Sequence, residues 1–267
     1  MIDIPFYWVD SFTSKPFGGG ATIVCILDEA LDDNTLSKIA QETGVLESAF
    51  VMKTGENEYQ LRWFAARGEE VYSAGYATLA TSHILAREYG VKSPIKYKTI
   101  SGEWIAEVNN EKISIFLPFI LELKKIDVPK IAELFGFNDY VEMLFNEKYG
   151  AYCVVVENQK QVSDLVVDQC KIVELLNQVG GNAVVITSVG DEGFDFAYRL
   201  FLRDREDYAC GTAQTALSHY WSERLGKSRL LSIQPHTRVS VLESEPLVNG
   251  VRITSEARVI VKGTMQI

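Results

Sequence analysis

Residues 59–90, YQLRWFAARGEEVYSAGYATLATSHILAREYG, lie over residues 196–226, FAYRLFLRDREDYACGTAQTALSHYWSERLG, when the chain is slid along itself. At one offset Gly75 meets Gly211, Ala77 meets Ala213, Ala80 meets Ala216, Ser82 meets Ser218, His83 meets His219 and Gly90 meets Gly226. One residue of slippage ahead of the glycine aligns Arg62 with Arg199 and Phe64 with Phe201. Shared helical composition would account for matches on one helix. Matches that run on into the preceding strand favour an internal duplication.

Each copy reads as a strand, a loop and a small-residue turn, Ala74-Gly75-Tyr76 or Cys210-Gly211-Thr212, leading into a helix. Such a turn offers backbone N–H groups and the positive end of a helix dipole, which together favour a carboxylate. Glycine suits it because a ligand can approach the backbone closely. Either turn alone could equally be an ordinary helix start.

Outward from the repeat, runs rich in β-branched and aromatic residues predict strands at 6–12, 21–27, 48–53, 59–64, 113–117, 151–157, 183–188 and 194–202. Amphipathic helices are expected at 33–43 and 77–89, closed by Gly44 and Gly90, with further helices at 172–179 and 213–225. Within 124–148 only a helix at 129–135 stands out.

The chain has 267 residues, 47% hydrophobic and 23% charged, enough apolar material for two compact domains. A formal net charge of -10 with scattered basic residues excludes a nucleic-acid footprint and leaves a small molecule as the expected partner. Cys25, Cys153, Cys170 and Cys210 include no C-x-x-C pair, and His83, His219 and His236 have no metal-ligand spacing, so no metal is expected. The opening MIDIPFYWVD is acidic where a signal peptide is basic, and no stretch is long enough to span a membrane, so a cytoplasmic location is expected.

VDSFTSKPFGGGATIVCIL, GVLESAFV, YQLRWFAARGEEVYSAGYAT, EDYACGTAQTAL and the closing QPHTR with VRITSEARVIVKGTMQI resemble, in order and spacing, the PhzF-like phenazine biosynthesis family. The resemblance covers nearly the whole chain. It implies an α+β fold like that of diaminopimelate epimerase, with two pseudo-symmetric lobes, each a curved, mostly antiparallel sheet or barrel around a central helix. The lobes would be residues 1–118 and 119–267, the last strands able to cross to the other lobe, with substrate held between them. It also makes a homodimer the expected assembly.

The family's acid–base glutamate falls on Glu47 in VLESAF, and its second-half aspartate on Asp207 in EDYACGTA. A carboxyl enclosed in a cleft can have its pKa raised by desolvation, which suits it to taking a proton from carbon and returning it elsewhere. Asp207 would orient the substrate's amino group. Gly75, Tyr76, Ala77, Cys210, Gly211 and Thr212 would bind the substrate, Thr212 and neighbouring N–H groups taking its carboxylate. The resemblance thus implies a cofactor-independent isomerase that moves a proton between carbons of a small carboxylate-bearing metabolite, cyclic or amino-acid-like.

Tyr76 stands where the family commonly has histidine, Gly20-Ala21 replace Asn-Pro, and Pro235 replaces glycine, which marks a divergent member. Tyrosine, with a reference pKa near 10, is a poor base at neutral pH. In epimerase relatives a cysteine precedes the glycine in both halves, whereas Ala74 here faces only Cys210, whose thiol is compatible with a reactive or an inert role. Two further readings therefore stand: an amino-acid racemase using Cys210, and a non-catalytic small-molecule-binding homologue. The paired His83 and His219 read as structural.

Overall fold

The computed structural model describes residues 1–267 and forms two compact units, Met1–Pro118 with Arg252–Ile267, and Phe119–Val251. The sixteen C-terminal residues thus belong to the first unit.

The first unit holds β1 (Asp3–Ser11), β2 (Gly20–Leu27), α1 (Asp33–Thr43), β3 (Glu47–Gly55), β4 (Glu58–Ala65), α2 (Gly75–Glu88), β5 (Ile95–Thr99), β6 (Gly102–Asn109) and β7 (Lys112–Leu117). The second holds β8 (Lys124–Ile126), α3 (Pro129–Leu134), β9 (Glu142–Asn146), β10 (Ala151–Val155), α4 (Gln159–Ser163), α5 (Gln169–Val179), β11 (Ala183–Val189), β12 (Phe196–Leu202), β13 (Glu206–Asp207), α6 (Gln214–Leu225), β14 (Leu230–Gln234) and β15 (Ser240–Leu247). After it come β16 (Gly250–Ser255) and β17 (Ala257–Gln266), which pairs along the whole of β1.

Strand pairing repeats between units. β1–β2 and β9–β10 are antiparallel; a helix-bearing crossover then makes β2–β3 and β10–β11 parallel. β3–β4 and β11–β12 are antiparallel hairpins, and a second crossover through α2 or α6 makes β4–β5 and β12–β14 parallel. Parallel neighbours need such long crossovers, so the repeated helices follow from the pairing.

The duplication extends to a side-chain clamp. Arg62 donates through Nε and Nη2 to Glu70 at 2.8 and 2.6 Å, with its guanidinium 5.1 Å from the Phe64 ring centroid. Arg199 grips Glu206 in the same two-pronged way at 2.6 and 2.7 Å, 5.2 Å from Phe201. Planar guanidinium suits both jobs, matching a carboxylate edge-on while stacking on an aromatic face. The one-residue slip between copies falls in the loop each clamp closes.

α1 is amphipathic as expected, capped by the Asp32 side chain accepting from Thr35 N–H and ended by Gly44 at φ 62°. The expected amphipathic character of the second helix is corrected: α2 is buried on every side from Gly75 to Leu85. Thr78, Thr81 and Ser82 each donate to the carbonyl four residues back at 2.8 Å. Back-bonding lets residues that look polar in sequence pack in a core. α2 lies against β1, β2, β3, β6, β7 and β17, so it is the central helix of its unit. α6 packs on β14 and β15, and its Trp221 stacks on Phe196 and donates to Thr187 at 3.0 Å. No helix is long and apolar enough to cross a membrane.

Candidate active site

Glu47 is the first residue of β3, flanked in register by Thr22 of β2 and Ala65 of β4. Thr22 Oγ1 donates to the Glu47 carbonyl at 2.6 Å, and the buried Ser48 hydroxyl pairs with Thr43 at 3.1 Å. Its backbone is therefore fixed by two neighbouring strands, which hold a working side chain more tightly than a loop does. The side chain is half-buried and its Oε2 fully so.

Gly75, Tyr76 and Ala77 form the first turn of α2, all buried. Tyr76 is 3% exposed, its ring edge-on to Phe12 with centroids 6.4 Å apart. Phe12 opens a tight loop whose shape is held by the buried Asp10 carboxylate, which accepts Phe17 N–H at 2.7 Å. Gly19 closes that loop at φ 58°, where a Cβ would lie 1.8 Å from the Ser11 carbonyl oxygen. Only glycine fits there, which gives Gly19 a physical reason.

In the second unit the 207–213 loop carries the other candidates. Asp207 ends β13, paired with Leu200, directly after the clamped Glu206. Its Oδ1 accepts Ala209 N–H at 3.0 Å, and the Cys210 thiol donates to the same carboxyl group. Burial pushes this carboxyl above the usual carboxylate range, overcoming the opposing pull of the Ala209 N–H, the Arg205 guanidinium and the Cys210 thiol. Gly211, Thr212 and Ala213 then accept the first tight turns, from Gln214, Thr215 and Ala216 N–H, so regular helix begins at Gln214 and not at the expected Ala213.

Four backbone groups of this loop are secured from outside it. Gln234, fully buried at the end of β14, accepts Cys210 N–H on Oε1 at 3.2 Å and donates through Nε2 to the Asp207 carbonyl. Ser240 donates to the Tyr208 carbonyl at 2.6 Å, and Tyr198 to that of Cys210 at 3.0 Å. The Tyr208 ring stacks on His236 at 5.0 Å. Burial lowers the His236 pKa against the opposing pull of Glu206 at 3.8 Å.

The phenazine biosynthesis-like family model, PhzC-PhzF, matches residues 9–264. The chain belongs to this family. An uncharacterized isomerase of Pseudomonas aeruginosa is 32% identical over 270 residues, with all of both chains covered. The crystal structure of a PhzF family protein from Enterococcus faecalis superposes with a TM-score of 0.90 at 28% identity, again over all of both chains. A hydroxyproline epimerase from Agrobacterium vitis shares the fold, with a TM-score of 0.61 at 11% identity over 98% of this chain and 91% of that one.

Within this PhzF-family chain, the first unit brings together Gly75, Tyr76 and Ala77 at one helix start and places Glu47 at the head of a strand that packs on the same helix. The second unit gathers Asp207, Cys210, Gly211 and Thr212 on one loop. The histidines shared by the repeats lie away from both groups: His219 Nε2 meets the Gly250 carbonyl at 3.2 Å, and His83 is 7% exposed, its pKa lowered by burial. Sequence reasoning missed Gln234, Ser240 and Tyr198. Gln234 lies in the QPHTR stretch that carried the resemblance, but its contacts reach 24 and 27 residues back, and no local spacing predicts them.

Proposed function

We propose that the protein is an isomerase that moves a proton between carbons of a small carboxylate-bearing, cyclic or amino-acid-like metabolite without a coenzyme. The observation that carries this reading is the placement of Glu47: a carboxyl with one oxygen fully buried, mounted on a strand head locked from both sides. A carboxyl held in this way can take a proton from carbon and return it elsewhere. The names of relatives agree at the level of reaction class, since uncharacterized isomerases of Pseudomonas aeruginosa and Halalkalibacterium halodurans are 32% and 29% identical. In this reading Asp207 orients an amino group on the substrate, while Thr212 and the N–H groups of Gly211 and Ala213 receive its carboxylate.

A racemase working through Cys210 fits less well. Its acid–base pair would be incomplete within the repeat, since the position that matches Cys210 in the first unit is Ala74.

The test is deuterium uptake from heavy water into a panel of amino acids and cyclic amino-carboxylates, followed by NMR for the native protein and Glu47→Gln. Uptake at carbon by the native protein, reduced about 10²–10⁴-fold in the variant, is the expected result. Tight binding of a panel member with no uptake at all would replace the isomerase with a binding protein.

A further inference from the structure

We propose that Gln234 is a positioning residue, fixing Asp207 and Cys210 relative to each other through one side chain that engages both peptide groups of the loop. The amide uses both its ends: Oε1 accepts Cys210 N–H, and Nε2 donates to the Asp207 carbonyl. A side chain 0% exposed that spans three residues of a loop leaves that loop few alternative conformations, because releasing either bond strands a buried polar group. The bolted backbone presents the Asp207 carboxyl to its two local donors, Ala209 N–H and the Cys210 thiol.

The repeat makes this specific to the second unit. Tyr59 of β4 faces Tyr97 of β5, and Phe196 of β12 faces Ser232 of β14. Two residues further along each strand stand Thr99 and Gln234. Thr99 bonds only within its own turn, to Ser101 and the Gly102 carbonyl. The fold itself therefore does not need a glutamine here. The unit with the acid on its loop has one.

Catalytic significance rests on the proposed function; the geometric role does not, and the test separates them. Cys25 and Cys153 are buried, with thiols pushed up to about 12, so in a Cys170→Ser background iodoacetamide reports on Cys210. Gln234→Met keeps the volume and deletes both bonds. Site-resolved mass spectrometry is expected to show Cys210 alkylation rising about tenfold or more, each lost buried hydrogen bond being worth up to about that factor, with Cys25 and Cys153 still protected. Gln234→Glu keeps the acceptor for Cys210 N–H and places a carboxylate against the Asp207 carbonyl, so a smaller rise in the same direction is expected. Unchanged Cys210 alkylation in both variants overturns the proposal. So does a joint rise at all three cysteines, which marks general loosening. Where the native protein shows deuterium uptake, Gln234→Met should raise half-saturation, in the direction of Asp207→Asn, and leave the maximal rate within twofold; a fall in maximal rate alone also overturns it. Absence of uptake in the native protein counts against the isomerase reading only.

Discussion

The two units share their strand pairing and their arginine clamp, and differ where chemistry is carried. Residue 47 is the first of β3, paired with Ala65; its counterpart, first of β11 and paired with Leu202, is Ala183. On the loop before the helix the asymmetry reverses: Val71 and Ala74 occupy the positions of Asp207 and Cys210. The first unit holds its carboxyl on a strand and the second on a loop, and neither duplicates the other's. A duplicated fold that kept its frame and divided its acidic groups teaches that the frame is what the halves share and the acidic positions are where they differ.

Breaking the clamps tests that the frame is shared. Arg199 and Glu206 are the more buried pair, with side chains 9% and 16% exposed against 22% and 21% for Arg62 and Glu70. Arg199 also donates to the Leu165 carbonyl at 2.7 Å, whereas the remaining arm of Arg62 reaches the exposed Asp33. Arg199→Met should therefore cost about 3 kcal/mol, in the range for breaking a buried pair. Arg62→Met should cost roughly half as much, given its greater exposure to solvent. Urea denaturation with unchanged m-values would measure both. Equal losses would mean that burial does not rank the clamps.

Tyr76 sharpens the comparison at the helix starts. Tyr76→Ala removes a buried ring and its edge contact with Phe12, and should cost about 3 kcal/mol or somewhat less by the same denaturation. Thr212→Ala, at the aligned position on a half-exposed turn, should cost under about 1 kcal/mol while weakening binding of any carboxylate ligand found. Comparable stability losses at the two positions would contradict the view that the second turn is the more dedicated to ligand.

The smallest expected effect concerns pH. Burial raises the Asp207 carboxyl, so the folded state binds its proton more tightly than the unfolded chain does. Stability from this group is fully present below the ordinary aspartate pKa and is lost as pH rises through the raised one. Asp207→Asn should therefore melt about 2 °C above the native protein at pH 7, with the gap closing toward pH 3.5. A variant less stable at pH 7 would show that the hydrogen bonds from Ala209 and Cys210 outweigh the burial of charge.

Much of this asymmetry was legible in the chain, because Gly, Ala, Ser and His recur at one offset from Gly75 to Gly90, whereas Val71 and Ala74 of the preceding loop stand where the second copy has Asp207 and Cys210. The repeat thus marked both helix starts and the loop that carries Asp207. Less legible were β5 and β6, whose alternation of lysine or glutamate with buried Tyr97, Trp104 and Ala106 is a half-buried strand pattern without a β-branched run. β9 was hidden within 124–148, its register set by β10 and by Asn146, which donates to the Glu122 carbonyl and accepts Tyr149 N–H. The burial of α2 could not be read from its threonines and serine, since back-bonding is a choice made only when a helix is surrounded. The Gln234 bolt depends on strand pairing that no window of sequence contains.

The most direct measurement of the division between the halves is deuterium uptake at carbon in heavy water, made side by side for Glu47→Gln, Asp207→Asn and Cys210→Ala on whichever panel compound the native protein labels. The account predicts that Glu47→Gln abolishes uptake, Asp207→Asn weakens it mainly through half-saturation, and Cys210→Ala leaves most of it. Uptake that survives Glu47→Gln and vanishes with Cys210→Ala would contradict it, moving the proton chemistry to the second unit's loop.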